Sequence, residues 1–205
     1  MARYVGRENV RKRLAPLAGQ PGRTVYAQGA ARIETEDETL TVRPPFGLEH
    51  EATYDGVELQ PLLDALARDH TVAAVLVRLG GYAVGVFEGE RLVASKVGSR
   101  FVKGRHKKGG SSANRFRRRR EEQERALLDD ATATARRLLE PHGDRIEFLA
   151  LGGDRQAAIT VAAGLPWRRL ERFFDVPDPR QRVLERLPYD LYAAEVIEEP
   201  SSARS

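Results

Sequence analysis

The chain has 205 residues, 41% of them hydrophobic, with 34 Lys+Arg against 30 Asp+Glu, a formal net charge of +4 and no cysteine. That is enough apolar material for one core-bearing domain, or one domain with a small appendage. The lack of cysteine excludes a disulfide framework, a thiol nucleophile and a zinc-thiolate site. The longest apolar runs, such as Ala73 to Val77, fall far short of the roughly 20 residues that span a bilayer, so no membrane partner is expected.

In chain order, Arg3 to Ala18 reads as a basic amphipathic helix, with Val10, Leu14 and Leu17 on one side and Arg7, Arg11, Lys12 and Arg13 around it. The opening MARYVGRENVRKRLAPL lacks the apolar core of a signal peptide, which points to a cytoplasmic address. Thr24–Ala27, Ala31–Glu34 and Thr39–Val42 are short, β-prone and separated by polar turns, the pattern of a small meander that Pro44 and Pro45 end. Glu58–Arg68 predicts a short helix with Leu59, Leu62, Leu63 and Leu66 on one face and Pro61 in its first turn. Three strands follow, Val72–Leu79, Tyr82–Phe87 and Arg91–Lys96, joined by Gly80-Gly81 and Glu88-Gly89-Glu90.

The third strand feeds a basic arm. From Lys96 to Arg120 the chain holds eleven of its 34 Lys+Arg and no Asp or Glu, so everything outside nets −7 (23 basic minus 30 acidic). Clustered cations make a local field that a polyanion can use, and nucleic acid is the first partner to consider. Lys103, Arg105, His106, Lys107 and Lys108 lead into Gly109, Gly110, Ser111 and Ser112. Glycines allow close backbone approach, and the free N–H groups of a helix start point at a bound anion or carbonyl oxygen. Three glycines among like charges predict a mobile loop from Gly104 to Ser111. It fits neither the nucleoside-triphosphate cradle nor the dinucleotide G-x-G-x-x-G pattern.

Ser112–Leu139 has no Gly or Pro and predicts one long helix, with Ser111 or Ser112 as its N-cap. Its early stretch, Arg117 to Arg125, offers no apolar residue and therefore no face for a core. Arg117–Glu121, Arg118–Glu122 and Arg120–Glu124 could make it a self-supporting charged helix. Arg115 and Arg117 to Arg120 could equally grip RNA phosphates, and Phe116 could stack on a base or anchor the helix start. The rest alternates: strand Arg145–Leu151, helix Gly153–Ala163, strand Leu170–Phe174, helix Pro177–Leu187, strand Tyr189–Val196, then a polar tail. Such alternation adds parallel pairings to the antiparallel meander, for an α/β fold with a mixed sheet flanked by helices. The segments expected are an N-terminal α/β segment 1–70, a main domain 71–198 and a disordered tail 199–205. The four histidines lack metal-ligand spacing, the arm has no carboxylates for a metal, and there is no G-x-S-x-G elbow.

The order of elements, a three-stranded meander, a basic Gly-Gly loop, a long charged helix and a β-α-β-α tail, resembles the catalytic domain of eukaryotic and archaeal class I peptide-release factors. Lys107-Lys108-Gly109-Gly110-Ser111-Ser112-Ala113-Asn114-Arg115-Phe116 is similar to the loop of the VLRF group of release-factor-like peptidyl-tRNA hydrolases, in its actinobacterial branch. The resemblance covers Thr71 to Glu198. It implies a loop that enters the peptidyl-transferase centre of the large ribosomal subunit and promotes water attack on peptidyl-tRNA in ribosome rescue, without metal or cofactor. Release factors carry Gln after Gly-Gly, and better known VLRF members carry it two residues beyond the second Gly; Ser111 and Ser112 stand there in this chain. Gly109 and Gly110 would then permit close approach and backbone N–H groups at Ser111 and Ser112 would supply the oxyanion donors, with the Ser112 hydroxyl, Asn114 amide or His106 orienting water. The competing expectation is a noncatalytic RNA-binding protein that uses the same arm.

Overall fold

A computed structural model of the chain describes residues 2–99 and 111–200. The expected mobile loop therefore lies, up to its last residue Ser111, outside the described residues. The chain forms two compact units, one from the chain up to Asp69 with the segment from Tyr189 onward, the other His70–Pro188.

The first unit opens with β1 (Arg3–Gly6) and α1 (Arg7–Leu14), followed by a short 3-10 turn (Ala15–Leu17). The helix expected from Arg3 thus starts four residues late, because Arg3–Gly6 is drawn into antiparallel pairing with Val196–Ala193, a partner no local pattern reveals. Val10, Leu14 and Leu17 are buried as expected, while Arg11 and Lys12 stay exposed. Arg13 pairs with Glu38 and Glu198. Strands β2 (Arg23–Ala27), β3 (Ala30–Glu34) and β4 (Glu38–Arg43) form the expected meander, and β5 (Ala52–Asp55), not foreseen, adds to the free side of β2. Helix α2 (Gln60–Ala67) buries Leu62 and Leu66. Tyr26 is 2% exposed and donates its hydroxyl hydrogen to the Glu58 carbonyl at 2.8 Å; burial pushes the phenol up to about 12.

The second unit begins with β6 (Thr71–Arg78), β7 (Gly81–Glu88) and β8 (Arg91–Ser99), paired antiparallel in sequence. Next comes α3 (Ser111–Leu139). Ser111 and Ser112 are its first two residues. Strand β9 (Phe148–Gly153) pairs parallel to β6, and β10 (Arg168–Phe174) parallel to β9, with α4 (Arg155–Val161) as the crossover. The sheet order is β10-β9-β6-β7-β8, the mixed sheet the alternation predicts. Gly153 lies at φ +91 and a Cβ there would meet the Val77 carbonyl oxygen at 2.2 Å, so the turn into α4 requires glycine. Asp154 caps α4 by accepting from the Ala157 N–H at 2.9 Å. The apolar sides of α3 and α4 cover one sheet face, on Val75, Val84, Val86 and Leu149. On the opposite side of β7, Gly85 makes room for Leu184.

Helix α5 (Gln181–Leu191) precedes β11 (Ala193–Pro200). The last strand, expected to finish the β-α-β-α tail, instead enters the first sheet between β1 and β4, giving the order β1-β11-β4-β3-β2-β5 with every pair antiparallel. Glu199 and Pro200, expected in a disordered tail, pair with Thr39 and Glu38, and residues 201–205 of that tail lie outside the described residues. No helix among the described residues is long and apolar enough to cross a membrane.

Candidate functional site: the root and shaft of the basic arm

Strand β8 delivers the chain to Ser99 and α3 takes it up again at Ser111, so the sheet and this helix hold both ends of the basic loop. Lys103, Arg105, His106, Lys107, Lys108, Gly109 and Gly110 lie outside the described residues. Ser111, Ser112, Asn114 and Phe116 occupy the first turns of α3. Arg115, Arg117, Arg118 and Arg119 are exposed and Arg120 is half-buried.

Two halves of α3 differ in what they touch. From Arg117 to Ala126 no side chain is buried, which follows from a stretch with no apolar stripe to lay on a core. At a rise of about 1.5 Å per residue these ten residues make roughly 15 Å of helix without core contact. Of the three expected i,i+4 pairs only Arg117–Glu121 forms among the described residues, at 3.6 Å with both partners exposed. Such a pair contributes a few tenths of a kcal/mol, so the arginines are not consumed by their own helix. Leu127, Ala131, Ala135 and Leu139 then bury in sequence, at the i, i+4 spacing of a core-facing stripe.

A polar clamp fixes this second half. The Tyr82 hydroxyl, on β7, donates to Asp130 Oδ2 at 2.8 Å and stands 2.9 Å from Thr134 Oγ1; having one hydrogen, it accepts from the threonine when it donates to the carboxylate. Burial raises the phenol above its ordinary range, the Thr134 hydrogen bond opposing this and Asp130 adding to it. Across the ladder Tyr82 faces Gly98 on β8. A Cβ at Gly98 would lie 2.3 Å from Tyr82 Cζ, so only glycine lets β8 run under the ring. The clamp joins β7, β8 and the packed half of α3. Sequence reasoning missed it; a lone glycine within a strand pattern, the usual mark of a close approach, was the available signal. Among the described residues no three His, Asp or Glu side chains gather as a metal cage would require.

The profile of a family described as Actinobacteria/chloroflexi VLRF1 release factor matches residues 70–197. Similar solved structures include the crystal structure of the archaeal translation termination factor aRF1, with a TM-score of 0.45, 15% identity and cover of 90% of this chain and 54% of that one. Another is described as the Vms1 mitochondrial localization core, with a TM-score of 0.42, 12% identity and cover of 92% and 80%. The chain thus spans about half the length of the archaeal factor. No curated protein sequence matches it.

Proposed function

Because the chain belongs to the Actinobacteria/chloroflexi VLRF1 release factor family, we propose that it hydrolyses peptidyl-tRNA on stalled ribosomes, in ribosome rescue in the cytoplasm. The observation that carries the reading is the shaft of α3: a helix in a release-factor family that opens directly after Gly-Gly and keeps Arg115 and Arg117–Arg119 exposed. A charged helix bound only to itself would not need the acid-free loop that precedes it.

In this mechanism Lys103, Arg105, Lys107, Lys108, Arg115 and Arg117–Arg120 hold RNA phosphates of the large subunit and the tRNA, and Phe116 stacks on a base. Gly109 and Gly110 let the backbone approach the ester between the nascent peptide and the terminal tRNA adenosine. A water oxygen attacks the ester carbonyl carbon. The oxyanion that forms is held by backbone N–H groups at the start of α3, which have no carbonyl partner within the helix. The bond to the ribose oxygen breaks, a proton from the water passes to that oxygen, and free peptide acid and tRNA result. Ser112, Asn114 or His106 orients the water, taking the place of the absent glutamine.

A second reading, a noncatalytic ribosome- or RNA-binding protein, is favoured by one observation: serines stand at positions 111 and 112, where release factors and their VLRF relatives carry glutamine. Adding the protein to purified ribosomes that hold a stalled, labelled nascent chain separates the two. Loss of the chain from tRNA supports hydrolysis, and tight binding without loss supports the second reading.

A further inference from the structure

The basic arm is not the only cationic ground on the second unit. From Arg155 to Phe174 the sequence holds Arg155, Arg168, Arg169 and Arg172 against one acid, Glu171 (4 minus 1, or +3). With the arm also set aside, the remainder nets −10 (−7 minus 3). These arginines stand on the outer edge strand β10 and its crossover helix α4, Arg169 toward the helix side and Arg168 toward the other face.

Arg155, Arg168 and Arg169 are exposed, and none of them forms an ion pair among the described residues. Aromatic rings hold three of the four guanidinium groups in place. Arg155 lies 4.4 Å from the Phe173 centroid, Arg172 4.9 Å from that of Phe174, and Arg168 5.7 Å from that of Phe148. Arg169 donates to the Ala162 carbonyl at 3.2 Å, at the C-terminal end of α4. For Arg155 and Arg168, stacking on a ring leaves the N–H edge able to reach phosphate oxygens, and little conformational freedom is lost on binding them. Charged residues also keep edge strands from pairing with other chains, but that task needs no aromatic support and no excess of four cations over one acid.

We propose that the β10 edge, with Arg155, Arg168, Arg169 and Arg172, is a second RNA-phosphate-binding surface, separate from the basic arm. The choice of RNA rests on the ribosomal reading above; the choice of a polyanion rests on the charge and the stacked arginines alone. Edges β10 and β8 stand at opposite ends of the five-stranded sheet. Four inter-strand steps of about 4.8 Å put them roughly 19 Å apart.

The test measures binding of the full chain to purified ribosomes and to protein-free large-subunit ribosomal RNA as salt is varied. The variant Arg168→Ala/Arg169→Ala removes exposed side chains with one hydrogen bond and one ring contact and should melt within a few degrees of wild type. It should bind both targets about tenfold more weakly at 0.1 M salt, with the log–log slope reduced by roughly 1.4 to 1.8. Arg168→Lys/Arg169→Lys should retain most of the slope. Glu171→Gln should tighten binding about twofold, a gain that misfolding does not produce. Unchanged affinity and slope in the alanine variant, while Arg117–Arg120→Ala loses both, overturns the second surface and leaves the ribosomal reading standing. Loss on ribosomes but not on protein-free RNA also overturns it, in favour of an acidic protein surface. Arginine-dependent binding to RNA by a chain that does not bind ribosomes sustains the surface and removes the ribosomal reading. Binding to neither target by the wild type removes both.

Discussion

The two halves of α3 are one helix made under opposite constraints. From Leu127 every fourth residue enters the core and Tyr82 holds Asp130 and Thr134 from the sheet; before it, no side chain from Arg117 to Ala126 is buried, and one exposed ion pair forms among the described residues. The helix acts as a shaft in a socket. Packing fixes the socket and charge equips the shaft, so substitutions in the two halves should separate stability from binding.

The largest effect on stability is expected in the socket. Leu139 is fully buried, and Leu139→Ala should cost about 2 to 5 kcal/mol in denaturant unfolding. A loss well under 1 kcal/mol would mean that this half is not packed as described. In the shaft, replacing Arg117 to Arg120 with alanine should weaken ribosome binding on the order of a hundredfold and lower the log–log salt slope by roughly 2.8 to 3.6, one step of 0.7 to 0.9 per lost phosphate contact. The same variant should unfold within about 0.5 kcal/mol of wild type. A large stability loss with an unchanged slope would erase the distinction between the halves.

Smaller effects sharpen the account of the clamp. Gly98→Ala forces a methyl group against the Tyr82 ring and should cost about 1 to 3 kcal/mol through overpacking; Gly98→Ala in a Tyr82→Phe background should not recover it, because the clash is with the ring itself. The Tyr82 phenol has a folded-state pKa raised by burial. Its protonated form is therefore favoured by folding, so the stability tied to it is present below the ordinary value of 10.0 and is lost as pH rises through the folded value. Tyr82→Phe should cost about 1 kcal/mol at neutral pH and flatten the alkaline part of the stability curve. A Tyr82→Phe curve parallel to wild type above pH 10 would remove the phenol from the clamp.

The second unit is legible in sequence to the extent that its order is local. Successive strands β6, β7 and β8 pair with their neighbours, and α3 announces itself by a run free of Gly and Pro. What sequence hides is pairing at a distance: β1 takes its partner from Ala193–Val196, which turns the start of an apparent helix into a strand and moves the last strand into the first sheet. The same holds at the site. A run of cations is visible in one dimension, so the exposed arginines of α3 could be named from residue types alone. Tyr82, Asp130 and Thr134 stand 48 and 52 residues apart and meet only because the sheet and helix fold together. The arginines of α4 and β10 do not stand out in sequence, because they are spread through a helix and a strand that read as ordinary parts of the fold.

The central claim, that the chain carries out chemistry at Gly109-Gly110 and uses the arm as grip, is tested most directly by single-turnover release from ribosomes holding a stalled, labelled peptidyl-tRNA, with saturating Gly110→Ala beside wild type. The account predicts that wild type frees the peptide and that Gly110→Ala frees it at least about a hundredfold more slowly while still pelleting with the ribosomes, since even a methyl group can keep the backbone from the ester. Wild type that binds those ribosomes tightly and releases nothing would contradict it.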